Sequence, residues 1–202
     1  MKRLMAFSHF RKIFILLAMI TLSLVPLVRG EEYSGKDQTQ TEVHFINTDW
    51  PISLQASVRI PSPPDQVWKV ISNYDQLTEF LPDLKSSRTI SRSGNETLIQ
   101  QATEVRFLFF KKTVTVTLNI LEKENRELDF VNVDGDMELF TGKWIIQETD
   151  GGKGSRLNYM LSFKPSFYTP KWIARHNLKN EIPVQLKRIS DRVGKFSPKD
   201  LK

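Results

Sequence analysis

The chain has 202 residues, 40% of them hydrophobic, enough for one domain with a sizeable core and not comfortably two. It contains no cysteine, which removes disulfides, thiolate metal sites and cysteine nucleophiles together. The net charge of +6 belongs to the leader: residues 1–30 hold Lys2, Arg3, Arg11, Lys12 and Arg29 and no acid, which leaves 24 basic against 23 acidic residues. No basic patch interleaved with aromatics remains to argue for nucleic acid as a partner.

Residues 1–12 are basic, Ile13 to Val28 is almost unbroken apolar sequence, and Val28-Arg29-Gly30 offers compact residues for cleavage. This is the three-part pattern of a secretory signal. Its apolar run is shorter than the ~20 residues a spanning helix wants, so residues 1–30 are expected to be a signal peptide, with an uncleaved anchor as the rival. Either reading exports the domain, to a periplasm, a thylakoid lumen or the cell exterior. Residues 31–51, polar at their start, are expected to form a flexible tether, and residues 52–198 a single domain.

The domain opens with a strand over Ile52 to Ile60, stopped by Pro61-Ser62-Pro63-Pro64. Asp65 to Ser72 places Val67, Trp68 and Ile71 on one helical face, and Leu77 to Leu81 gives a second short helix. Strand chemistry follows over Arg88 to Arg92, Glu96 to Phe109, Thr113 to Glu122, Arg126 to Val133, Leu139 to Glu148 and Arg156 to Lys164. Asparagine and glycine separate these runs at Gly94-Asn95, Asn125, Asp134-Gly135 and Gly151 to Gly154, as antiparallel hairpins require. Alternation assigns the inner face: Val114, Val116, Leu118 and Ile120 point one way, with Thr113, Thr115, Thr117 and Asn119 the other. Phe140, Gly142, Trp144 and Ile146 form a second such set, and Leu157, Tyr159, Leu161 and Phe163 a third.

Lys171 to Phe196 reads as one long amphipathic helix. Leu178, Ile182, Leu186, Ile189, Val193 and Phe196 make a single stripe at helical spacing. Lys179, Lys187, Arg188, Arg192 and Lys195 cover the opposite face. Pro183 lacks a backbone donor, so a kink or break is expected near Glu181 to Ile182. The predicted class is α+β: a twisted antiparallel sheet of about seven strands, two short helices after the first, and a long kinked helix that the sheet wraps.

Three stretches resemble a known family. "PSPPDQVWKVISNYDQLTEFLPDLKSSRTI", Pro61 to Ile90, resembles the opening of the polyketide cyclase/dehydrase and coenzyme-Q-binding START-like families of the SRPBCC, or helix-grip, superfamily. "GDMELFTGKWII" is similar to its glycine-then-tryptophan strand, and "GSRLNYMLSFKPSFYTPKW" to its last strand and the proline that opens the final helix. The resemblance runs from Ser53 to Phe196, with Ser155 standing where a threonine is common. It implies a deep apolar cavity between sheet and helix, used in different members for lipids, quinones, polyketides or pigments.

The residues themselves support a cavity, because the inner face is rich in rings. Phe107, Phe109, Phe130, Phe140, Trp144, Tyr159 and Phe163, with Trp172 at the helix entrance, are the candidate ligand-binding residues; the alternative is that they fill a solid core. Catalysis would need a titratable group within reach of the reacting atom. Glu104 and Arg106 share a strand face and form either an inward orienting pair or a surface ion pair. His176 faces either the cavity mouth or solvent. No metal-ligand cluster, nucleophile elbow or phosphate-cradling loop is present in the sequence, so no metal or cofactor is expected, and Asp134-Gly135-Asp136 reads as a hairpin turn.

The functional expectation is an exported binding or transport protein for a hydrophobic small molecule, a lipid, an isoprenoid quinone or a related compound. Its basic helix face would give peripheral membrane contact. A cyclase/dehydrase-like enzyme using the same cavity, and an interaction module with a solid core, are the alternatives.

Overall fold

The computed structural model describes residues 41–107 and 110–195. The expected leader and the first part of the expected tether lie outside the described residues. In chain order the elements are β1 (Thr41–Asn47), β2 (Ile52–Ile60), α1 (Pro64–Ile71), a 3-10 turn (Tyr74–Glu79), β3 (Leu84–Ser93) and β4 (Glu96–Phe107). They continue with β5 (Phe110–Lys123), β6 (Glu127–Gly135), β7 (Met137–Thr149), a short 3-10 turn, β8 (Gly154–Pro165) and α2 (Lys171–Gly194).

All strands join one antiparallel sheet in the order β1-β2-β8-β7-β6-β5-β4-β3. β3 to β8 form a meander, and the first two strands add to its far edge alongside β8. The predicted alternation holds at the core: Val114, Val116, Leu118, Ile120, Leu157, Tyr159, Leu161 and Phe163 are all buried. Proline at the first position of α1 supplies a fixed φ where no backbone donor is needed, and Val67, Trp68, Val70 and Ile71 turn inward.

The structure has eight strands among the described residues where the sequence suggests about seven. The added strand is β1, whose residues fall in the expected tether. It pairs with β2 from Thr41–Val58 onward. Val43 and Phe45 pack against the core while Glu42, His44 and Ile46 face out. The second predicted helix is the 3-10 turn, displaced to Tyr74–Glu79. The Asp75 carboxylate holds it to β3 by accepting from the Thr89 N–H at 2.7 Å and the Thr89 hydroxyl at 2.9 Å.

α2 is a single 24-residue helix that continues through Pro183. The expected break is absent for a physical reason. The carbonyl orphaned by Pro183 is that of Lys179, an exposed residue where water can satisfy it. Ile182 and Leu186, 5% and 0% exposed, pin both sides of the proline to the core. Burying each such side chain is worth about 1.5–3 kcal/mol. The helix packs on β1, β2 and α1, so one flank of α2 is solidly held. The other flank stands over β4 to β8.

Candidate functional site

Between that second flank and the inner face of the sheet lies a cavity of about 380 Å³. This falls at the small end of the ~300–1,000 Å³ range of ligand pockets. Its walls are layered by strand register. Phe163 pairs with Phe140, Leu161 with Gly142, and Tyr159 with Trp144 across β7 and β8. Trp144 and Tyr159 stack with centroids 4.0 Å apart at 20°. Phe130 reaches in from β6, 5.5 Å from Phe140 and 6.2 Å from Tyr159. Gly142 makes this possible, because a Cβ there would sit 2.8 Å from Phe130 Cζ and 2.0 Å from the Met160 carbonyl oxygen.

The inner end is stopped by Tyr74, 3% exposed. Its hydroxyl donates to Glu122 Oε1 at 3.0 Å, and the fully buried Thr97 hydroxyl donates to the same oxygen at 2.7 Å. Burial, together with the Glu122 charge, pushes the Tyr74 phenol well above its ordinary range. Burial alone pushes Tyr159 the same way. Both phenols therefore remain protonated at neutral pH and serve as hydrogen-bond groups rather than bases.

The mouth lies along α2, where Glu181 and Val184 line the cavity and are exposed. Asn177, Gln185 and Arg188 share that rim, facing Asp83, Gln101 and Glu104. Near the other end of β8, Thr169 also lines the cavity, and its hydroxyl is buried with no hydrogen-bond partner among the described residues.

Of the predicted ring residues, Phe130, Phe140, Trp144, Tyr159 and Phe163 come together in the cavity wall. Trp172 does not. It is 55% exposed, because the first turn of α2 directs Ile173 and Ala174 inward instead. The side chains of Phe107, Phe109 and Arg106 lie outside the described part of the chain, so the expected Glu104–Arg106 pair does too. Glu104 reaches the cavity rim and pairs with Lys111 at 2.9 Å and, more loosely, with Lys85 at 4.0 Å. His176 is exposed, sits 3.0 Å from Asn180 Nδ2 and is not part of the lining.

Sequence reasoning missed the polar rim. Asn177, Glu181, Gln185 and Arg188 recur at spacings of four, four and three, a stripe beside the apolar one. Read alone, such a stripe is a solvated face. Only a gap between helix and sheet turns it into a cavity edge. Asp134-Gly135-Asp136 is the turn expected: Asp136 Oδ2 accepts the Thr115 N–H at 2.8 Å, and Gly135 has φ 116°. Among the described residues no cluster of three or more His, Asp or Glu is placed to hold a metal.

An antiparallel sheet wrapped on one long terminal helix, with an apolar cavity between them, defines a START-like helix-grip domain. The model of the family described as polyketide cyclase / dehydrase and lipid transport matches residues 60–189, and the chain belongs to that family. Solved structures agree on the fold. A STAR-related lipid transfer protein from Xanthomonas axonopodis superposes with a TM-score of 0.64 at 17% identity, over 80% of this chain and 97% of that one. The Zhui aromatase/cyclase from a Streptomyces species gives 0.62 at 11% identity, over 71% and 93%. A START superfamily protein from Mycobacterium smegmatis gives 0.59 at 14% identity, over 72% and 99%. No curated protein matches the chain in sequence.

Proposed function

We propose that the protein is an exported carrier that holds a hydrophobic small molecule, a lipid, an isoprenoid quinone or a related compound, between its sheet and α2. The observation that carries this reading is the cavity of about 380 Å³ walled by Phe130, Phe140, Trp144, Tyr159 and Phe163. Hiding about 300 Å² of apolar ligand surface there would gain about 7 kcal/mol at ~25 cal/mol per Å², before the costs of association. The named lipid transfer neighbour supports transport, and the named aromatase/cyclase supports the rival in which the cavity folds a reactive chain. The described lining favours the first. Its buried phenols stay protonated, and Glu104 is held by lysine.

Release would take place at a membrane. Of the basic residues on that helix face, Lys187 pairs with Asp191 and Arg192 with Glu79, and Arg188 lines the cavity rim, which leaves Lys179 and Lys195 as the exposed contributors. Docking by such a surface is weak, and binding to anionic vesicles that did not fall with added salt would remove it from the proposal.

Native mass spectrometry of the protein recovered from its own organism's membranes tests the carrier reading. A stoichiometric lipid or quinone is the expected result. Protein that stays free of ligand, and does not load from lipid extract, refutes it. Turnover of a cyclisation substrate would establish the enzyme instead.

A further inference from the structure

Trp144 and Tyr159 occupy opposed positions on β7 and β8, and their rings stack at 4.0 Å. Both line the cavity. No hydrogen bond ties the Tyr159 hydroxyl or the Trp144 indole N–H to another described residue, and neither atom is sealed away from the cavity, since the one buried and unpartnered side-chain polar atom among the described residues is Thr169 Oγ1. A donor left open to the cavity is free to be met by whatever enters it, and a phenylalanine at either position would offer none. The indole N–H can only donate. The surroundings do not satisfy them: Ala56 from β2 and Leu128 from β6 stand at the adjoining register positions, and Ile182 and Ile189 line the same cavity from α2.

No residue lining this end is charged: the nearest carboxylate on that face of the sheet, Glu122, stands two strands from Trp144 and is already engaged by Tyr74, Thr97 and Arg92. The charged groups of the lining, Asp83, Glu104, Glu181 and Arg188, belong to the mouth and not to β7 or β8. Glu104 stands on β4, three strands from β7 and therefore ~14 Å away at ordinary strand spacing. A carboxylate or ammonium carried to the ring pair would sit without a counter-ion in an apolar wall. A neutral acceptor oxygen would satisfy both donors.

We propose that Trp144 and Tyr159 form a hydrogen-bonding subsite for an acceptor oxygen, a carbonyl being the simplest, on the end of the ligand that enters first. This rests on the carrier reading and narrows it to neutral hydrophobic molecules with an oxygenated leading end. The raised proton affinity of the Tyr159 phenol keeps its donor in place across neutral pH.

The test uses two probes of equal length, methyl undecyl ketone and tridecane, each competed against the fluorescent cavity probe anilinonaphthalene sulfonate. The wild-type chain should bind both. Tyr159→Phe and Trp144→Phe should each weaken the ketone about fivefold more than they weaken tridecane, the size of one neutral hydrogen bond, whatever apolar contact both probes lose alike. The infrared carbonyl stretch of the bound ketone should lie below its position in hexane and move back towards it in each variant. That band needs no variant to be informative and does not respond to a merely structural role of the hydroxyl. A bound ketone whose band sits at the hexane position, or a Tyr159→Phe chain that binds ketone as well as wild type, overturns the subsite and leaves the carrier standing. If neither probe binds, the carrier reading falls and the subsite with it.

Discussion

Replacing Gly142 with alanine tests the construction of the cavity wall. The new Cβ would lie 2.0 Å from the Met160 carbonyl oxygen and 2.8 Å from Phe130 Cζ. Carbon to carbonyl oxygen contacts settle at about 3.3 Å or more, so the first overlap exceeds an ångström. Its obstacle is ladder backbone, which cannot rotate aside. The second obstacle is a ring that can move, but only into the cavity. Overpacking of this kind costs about 1–3 kcal/mol and sometimes more, and the backbone clash places Gly142→Ala near 3. For a domain of this size each kcal/mol moves the melting temperature by about 2–4 °C, so a fall of about 6–12 °C is expected in a circular dichroism melt. Gly194→Ala is the control, because a Cβ at the end of α2 meets nothing within 4 Å. Phe130→Leu in the Gly142→Ala chain should recover part of the loss and not all of it. A Gly142→Ala protein melting within about 2 °C of wild type would refute the account of β7 against β8.

Leu186, fully buried on the solid flank of α2, should lose about 3–5 kcal/mol on truncation to alanine, whereas Trp144→Ala should cost no more than about 3 and abolish ligand binding; urea unfolding beside a ligand titration separates the two effects. Asn132 accepts the Phe140 N–H and donates to the Met137 carbonyl where β6 and β7 stop pairing. Asn132→Ala should therefore cost about 1–3 kcal/mol and raise hydrogen exchange at Phe140 first. Arg59, at 2.7 Å, holds the Asp150 carboxyl below the usual carboxylate range, with Thr149 assisting. A depressed carboxylate stabilises the fold above its unfolded-state value, and that contribution disappears as pH falls through the lowered folded-state value. Arg59→Gln should thus raise the Asp150 titration in an NMR experiment, and its stability should converge on wild type only in strong acid.

The parts of this protein that were legible in the sequence are those where one face decides the pattern. β5 and β8 alternate because one side is buried and the other is not, and Val114 to Ile120 and Leu157 to Phe163 fall where the period places them. α2 announces its buried stripe in the same way. β1 was not legible: it is an edge strand of seven residues whose inward side offers only Val43 and Phe45 as large apolar groups, and its pairing with β2 is set by register rather than by pattern. The placement of Trp172 failed for a related reason, since an aromatic beside a helix start carries no sign of which way the first turn faces. The rim depends on a gap between two elements, and no local pattern encodes a distance. Asn177 to Arg188 look like any wet helix face until the sheet is seen to stand away from them.

The Tyr74 stopper closes the cavity at the end away from the Glu181 and Val184 mouth. Tyr74 is tied to Glu122, whose Oε1 is also bonded to Thr97, so widening that end would take one hydrogen bond from a half-buried carboxylate. Traffic through the protein therefore resembles a cul-de-sac rather than a tunnel. A newcomer cannot push the resident out from behind and must wait for it to back out past Glu181 and Val184. On the carrier reading proposed above, exchange between donor and acceptor membranes would plateau at a rate set by departure alone, however much competing ligand is supplied.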